Sequence, residues 1–470
     1  MLAMASGAMG FSLLGPGAAE GNTIKDWQLP GDNDGWEIGY NVPGDIGGPM
    51  DIIEAYRWNT PIITYAYDNE FIRYFGPRGI KAVDDAIRIL NELPAANKMS
   101  ADLSEFPLSS SHLNVEASQL GLMDLKSVAL QTILEELGLA DPVRWNFSIH
   151  HREAIPSTRF GVYGIVRYNF DPVTLRPSSY INGTLYTYRI LETPAPPNFS
   201  EAVEQIPPGL ENEPINFPVA ANSLGGRFSL MPGFPLISGY YYTGLSRDDV
   251  GALRYLLRPD NVVVETLLPD IVPGGGKWSP FIGTNFLGTN GVGGTNNIIT
   301  AGLRGGVNKL QFKKVHFDGL LGQTFTPVRF TYSDRVTALN RTVTQGLLRT
   351  VALPDIIFTV ADTYPAIFGA RTTTATWINN DPINGSSALG GPGVIPPTVF
   401  ITFNTQNPVL GNQSPFFVTE PLITDTNARA FGLIGPVWAS FDGSTNDPII
   451  YPDTGNSFRD IRNMIRQLNP

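Results

Sequence analysis

The sequence predicts an α+β fold, with a mixed N-terminal domain followed by a β-rich, sandwich-like C-terminal region. Three observations carry that expectation. Helical periodicity is concentrated before residue 259, in three short stretches. Strand-like runs of β-branched and aromatic residues recur along the chain. Glycine (49) and proline (39) together make about a fifth of the 470 residues, above the usual ~12%, and demand many turns. Hydrophobic residues at 42% and aromatics at 11% supply ample core, which rules out general disorder.

Met1–Glu20 is small and apolar, lacks Lys and Arg, and is broken by Gly and Pro. It is too interrupted for a membrane span. It reads as the h-region and cleavage end of a secretory signal without its basic n-region, with Gly17-Ala18-Ala19 as the cleavage site. An extracellular or cell-surface location follows. Residues 21–57 look irregular. Gly31-Asp32-Asn33-Asp34-Gly35 is a turn cluster that fails the glycine and glutamate register of a calcium loop.

Pro61–Tyr67 is β-branched and aromatic and predicts a strand. Ile80, Val83, Ile87 and Leu90 follow at helical spacing and predict an amphipathic helix over Gly79–Leu93, stopped by Pro94. A second helix is expected from Met123 to Leu139, with Gly138 marking its end. From Val143 the pattern turns to β, with Phe160–Phe170 and Tyr180–Leu191 as strand candidates. Residues 193–217 are dense in Pro and Glu and read as an exposed linker or flap. Ser246-Arg247-Asp248-Asp249 is a capping box with Asp in the Glu position. It opens a third helix that carries Val250, Leu253 and Leu256 on one face and stops at Pro259.

Beyond residue 260, strand-like runs (Lys309–Phe317, Thr326–Tyr332, Asp355–Val360, Val399–Phe403) alternate with glycine-rich tracts. A short helix over Asn456–Leu468 is expected to close the chain. The expected organisation is 1–20, a signal remnant; 21–258, an α+β domain with a long β insertion; and 259–470, a β-rich module.

Composition excludes several functions. The net charge of −11 offers no basic field for a phosphate backbone, so no nucleic-acid partner is expected. The absence of cysteine removes disulfides, thiolate metal sites and cysteine nucleophiles. Only four histidines exist: His112, His150, His151 and His316. Adjacent side chains in a regular strand point to opposite faces, so His150 and His151 would not chelate one ion there. No Gly-x-Ser-x-Gly elbow exists, and Gly385-Ser386-Ser387 reads as a loop. Gly288–Gly294 is followed by no Lys-Ser/Thr and reads as a flexible connection rather than a phosphate loop. Carboxylate pairs for glycoside hydrolysis must exist among 43 acidic residues, but spacing selects none. Trp145, Trp278, Trp377 and Trp438 have rings that stack well on sugars, though Trp is more often core.

One segment carries a chemical pattern. Val128–Asp141 reads Val-Ala-Leu-Gln-Thr-Ile-Leu-Glu-Glu-Leu-Gly-Leu-Ala-Asp. It resembles the active-site helix of matrixin-type metzincins, which are zinc endopeptidases. That helix needs two His at i and i+4 to put both imidazoles on one face, and a Glu beside the first as general base. A glycine turn then brings round a third His. The apolar frame of Val128, Ala129, Ile133, Leu137, Gly138 and Leu139 matches. The ligand positions hold Gln131 and Glu135, the base position holds Thr132, and the third ligand position falls at or near Asp141.

Leu245-Ser246-Arg247-Asp248-Asp249-Val250 is similar to the family's closing helix, and Pro61–Leu93 to its opening strand and helix. A Met-containing turn is sought at Ser229-Leu230-Met231-Pro232. The resemblance covers about residues 57–258. It implies a metzincin-like fold that lacks the zinc-binding histidines. An unrelated α+β domain with ordinary core helices is the alternative. Gln131, Glu135 and Asp141 suit a hard cation better than zinc, but their simplest reading is a solvated helix face. No catalytic residue, cofactor or metal site is assigned.

The expected function is a non-catalytic exported protein, structural or adhesive, that self-associates or contacts other cell-surface proteins. No transmembrane segment is expected. The alternatives are a secreted carbohydrate-active or proteolytic hydrolase with its site elsewhere, and a monomeric glycan- or peptide-binding module.

Overall fold

Phe11–Gly15 forms strand β1, and all five residues are buried. The apolar stretch that reads as a signal remnant therefore contributes a strand to the fold. The computed structural model describes residues 9–15, 48–52, 56–119, 122–140, 142–154, 161–193, 199–205, 239–274, 298–317, 326–338, 340–361, 370–372, 378–379, 393–404 and 437–452.

Along the chain follow β2 (Gly48–Met50) and β3 (Ile62–Tyr67). Helix α1 (Asn69–Glu92) starts where the Asp68 carboxylate accepts the Phe71 N–H at 2.8 Å. It begins ten residues before the expected Gly79. A kink at Gly76, whose φ is 61°, and Pro77 behind it hide the first turns from the periodicity. Phe71 and Phe75 extend its buried stripe. Helix α2 (Leu125–Glu136) is shorter than expected. Met123 belongs to the strand Leu122–Asp124, and Leu139 opens β4 (Leu139–Ala140).

Next come β5 (Asn169–Phe170) and α3 (Arg247–Leu257). The α3 capping box is complete: Asp249 accepts the Ser246 N–H at 2.7 Å, and Ser246 accepts the Asp249 N–H at 3.4 Å. The C-terminal strands are β6 (Val263–Thr266), β7 (Ile271–Pro273), β8 (Ala301–Arg304) and β9 (Gln311–Lys314). They continue with β10 (Val328–Ala338), β11 (Arg341–Val351), β12 (Ile356–Ala361), β13 (Ala370–Thr372) and β14 (Val399–Asn404).

The result is a mixed α+β fold rich in strand. One five-stranded sheet runs β9-β3-β12-β14-β13, parallel except for β13. Another is antiparallel, in the order β6-β8-β10-β11-β7. In a third, β1 pairs with β2, β4 and β5. The first sheet corrects the expected boundary at 258/259: β3 from one side pairs with β9 and β12 from the other. A parallel pair has no tight turn to join it, so local sequence carries no sign of this partnership. One hydrophobic cluster accordingly runs from Phe11 to Tyr451. Within it Tyr67 stacks on Phe358 at 5.4 Å, and Phe403 meets Trp438 edge-on at 5.3 Å.

Another correction concerns residues 193–217. Phe199–Gln205 pairs with Thr187–Thr193 in an antiparallel ladder, so part of the expected linker is strand. The expected closing helix over Asn456–Leu468 lies outside the described residues.

The free edge of β9 is closed locally. In a parallel ladder alternate residues turn their backbone groups away from the partner strand, and Phe312 does so here. Asn91 donates to Phe312 O at 3.0 Å and accepts its N–H at 2.7 Å. Exposed Lys313 and Lys314 flank this contact. Such features oppose edge-to-edge pairing.

Two buried guanidinium groups join the sheets. Arg57 donates to Glu265 at 2.5 Å and to the carbonyls of Leu256, Asn261 and Arg304 at 3.0–3.1 Å. Arg349 on β11 donates to Asp270 at 2.9 Å and to both oxygens of Asp355 at 2.6 and 3.1 Å. Asp355 also accepts the Thr64 N–H from β3 at 2.7 Å. Removing one partner of a buried pair leaves an uncompensated charge. Asp355→Ala is therefore expected to lower stability by about 3–5 kcal/mol, measured as the change in urea unfolding free energy.

Candidate functional site

The helix with the chemical pattern, α2, is set by its flanks. Asp124 caps it, accepting the Ser127 N–H at 3.0 Å and the Ser127 hydroxyl at 2.5 Å. The Ser127 oxygen in turn accepts the Tyr242 N–H at 2.8 Å. Gly138 ends the helix at a φ of 97°, where a Cβ would lie 2.6 Å from the Tyr56 carbonyl oxygen. Only glycine fits this turn.

Every residue of α2 except Lys126 is buried. It packs against α1, β4, β13 and the strands Leu122–Asp124, Tyr240–Tyr242 and Val437–Ser440. The expectation of a solvated face is thus corrected at Gln131 and Glu135, which are 5% and 8% exposed, and Thr132 between them is 3% exposed. Thr132 donates back to Val128 O at 2.8 Å, and Gln131 to Glu135 at 3.5 Å. The Glu136 carbonyl accepts the Trp58 indole N–H at 2.8 Å. The sequence held a signal for this burial. Val128, Leu130, Ile133, Leu134 and Leu137 wrap around the helix instead of lining one stripe, the mark of a buried helix.

The other candidates do not converge. His112 is exposed and stacks on Tyr241 at 5.5 Å. His316 is exposed beyond β9. His150 and His151 lie on the strand Ser148–Ala154, where the pairing register shifts between Ile149 and His151. The pair is therefore not in regular β structure. Trp145 and Trp438 are buried at 2% and 0% exposure and serve as core. Asp141, Trp278, Trp377, Met231, Asp32, Gly288–Gly294 and Gly385-Ser386-Ser387 lie outside the described residues. Among the described residues, no three His, Cys, Asp or Glu side chains are grouped to hold a metal. No helix among them is long and apolar enough to cross a membrane.

Sequence reasoning passed over one carboxylate pair, Asp248 and Asp249, at the start of α3. Burial pushes the Asp248 carboxyl well above the usual carboxylate range. Both residues border a small pocket shared with Phe11, Ser12 and Leu139, of about 10 Å³. That volume holds about one water, too little for a sugar or peptide. Asp248 accepts the Asn182 N–H at 2.6 Å, and Asp249 completes the helix cap. Both carboxylates are engaged in holding the backbone.

No family model, curated protein or solved structure matches the chain. The likeness of α2 to a metzincin helix rests on the quoted residues alone.

Burial pushes the Asp124 carboxyl up to about 6, against the opposing pull of Lys126 and the Ser127 hydrogen bonds. The unfolded value is ~3.9. Between those values the folded chain holds a proton that the unfolded chain lacks, so stability falls as pH rises through about 6. The Asp124 contribution over that range is about 2–3 kcal/mol. Urea unfolding on the two sides of that range is expected to show a shallower pH dependence in Asp124→Asn than in the unaltered chain.

Proposed function

We propose that the chain is a non-catalytic exported protein, structural or adhesive, that works in a cell-surface or extracellular assembly through self-association. One observation carries the non-catalytic part. The helix that resembles the zinc-binding one is buried except at Lys126, and its ligand positions carry Gln131 and Glu135, with Thr132 at the base position. A hydrolytic site needs room for a substrate beside its reacting groups, and this helix presents none. In this reading the metzincin-like frame is a scaffold that keeps its helices and has lost its zinc chemistry.

The assembly part is supported by composition. Charged residues are only 16% of the chain, against ~25% in an average soluble domain. Low charge and abundant strand favour large lateral contacts.

The test uses the full chain. Light scattering after size exclusion, with electron microscopy of the same fractions, is expected to show a regular polymer. A clean monomer at every concentration would overturn the assembly. Stoichiometric zinc in protein purified without added metal would overturn the non-catalytic reading. Binding to a glycan array by the monomer would point instead to the module alternative.

A further inference from the structure

We propose that the outer face of the antiparallel sheet binds an acidic polysaccharide, laid along β10 and β11 with its carboxylates on Arg329 and Arg335. This partner is additional to the self-association proposed above and does not depend on it.

Successive residues of a strand point to opposite sides, and the two long strands follow that rule. Phe330 and Val336 on β10, and Gln345, Leu347 and Arg349 on β11, are buried on the inner side. The positions between them face out. The register sets Arg329 opposite Thr350, Ser333 opposite Gly346, and Arg335 opposite Thr344. Arg329, Thr331, Ser333 and Arg335 are exposed along β10, as are Thr342 and Thr344 across from them on β11. A Cβ built at Gly346 meets nothing within 4 Å, so open space lies above the middle of the face. Leu303 on β8 and Val272 on β7, 40% and 46% exposed, widen it beside Thr337 and Leu348.

The chemistry of this face is narrow. No Asp or Glu stands at an outward position of β10 or β11, although the chain has 43 acidic residues. In a chain of net charge −11 this is a local reversal of sign, which suits an anionic partner. Arg329 and Arg335 are set about 20 Å apart by the strand rise, with the hydroxyls of Thr331 and Ser333 between them. A nucleic acid carries one charge per about 1.7 Å and would leave most of its phosphates unmatched here. A peptide laid on a sheet face, away from an edge, finds no free backbone groups to pair with. A second copy docked through the same face would set arginine near arginine.

A sugar polymer whose carboxylates are separated by hydroxyl-bearing units matches each feature. A guanidinium takes a carboxylate in two parallel hydrogen bonds. Thr and Ser hydroxyls both donate and accept, as sugar hydroxyls do. Leu303, Leu348 and Val272 offer aliphatic surface to the C–H faces of the sugars.

The full chain is titrated into fluorescently labelled hyaluronan, whose acidic and neutral sugars alternate, with anisotropy as the readout. Saturable binding that weakens as salt rises is expected. Arg329→Ala/Arg335→Ala is expected to bind at least about tenfold more weakly. Thr344→Val, which keeps the branched shape and removes the hydroxyl, is expected to bind about threefold more weakly. Both arginines are exposed, so the urea unfolding free energy of the double variant is expected to match that of the unaltered chain. Carboxyl-reduced hyaluronan is expected to bind the unaltered chain as weakly as hyaluronan binds the double variant.

Equal binding by the unaltered chain and the folded double variant would overturn the proposal. So would no binding at all, or equal binding of the carboxyl-reduced polymer. Tighter binding of poly-L-glutamate would overturn it in favour of an acidic peptide. Light scattering of the same samples reads self-association separately. A chain that assembles but does not bind hyaluronan keeps the assembly and loses this partner. A monomer that binds hyaluronan through the two arginines keeps the partner and loses the assembly.

Discussion

A guanidinium withdrawn from water must find hydrogen-bond acceptors and a negative partner. Arg57 and Arg349, both fully buried, meet that demand with groups from distant parts of the chain. Arg349 reaches Asp270, Asp355 and the Ile62 carbonyl. Arg57 reaches Glu265 and carbonyls at Leu256, Asn261 and Arg304. Arg304 continues the network to Asp334 at 3.1 Å. Such pairs add little net stability over an apolar core, but they tolerate few alternative arrangements. They hold β3 and β12 against the antiparallel sheet in one geometry, and the helices pack on what results.

That frame explains the state of α2. The helix lies inside the layers instead of lining a cleft, because α1, β13 and the strand Val437–Ser440 all close on it. Ser127, Gln131 and Thr132 donate to Asp124, Glu135 and the Val128 carbonyl within the protein. A fold does not by itself imply a chemistry. The glycine turn at Gly138 and the capping box at Ser246 serve backbone geometry, and they remain useful whether or not a metal is present. The same economy appears at Asp248 and Asp249, a carboxylate pair engaged in backbone capping.

The strand β1 adds a different constraint. It is buried, it contains no charged residue, and three short strands depend on it for their sheet. An apolar run at this place reads equally well as an export signal or as a core strand, because both need the same side chains. In the folded chain β1 has three pairing partners.

The sequence alone determined whatever depends on near neighbours. The strand Ile62–Tyr67, the body of α1, the cap and length of α3 and the stop at Gly138 follow from propensity, spacing and turn chemistry within a few residues. The absence of histidine from α2 is likewise legible in the sequence. Tertiary structure alone decided what depends on partners far along the chain. Parallel pairing of β3 with β9 and β12 joins residues about 250 and about 290 positions apart in sequence, with no hairpin to announce it. The pairing of Phe199–Gln205, the buried ion pairs and the enclosure of Gln131 and Glu135 have the same origin. Local periodicity reports which face of an element is apolar. It does not report which other element will cover that face, since burial is a property of two surfaces brought together.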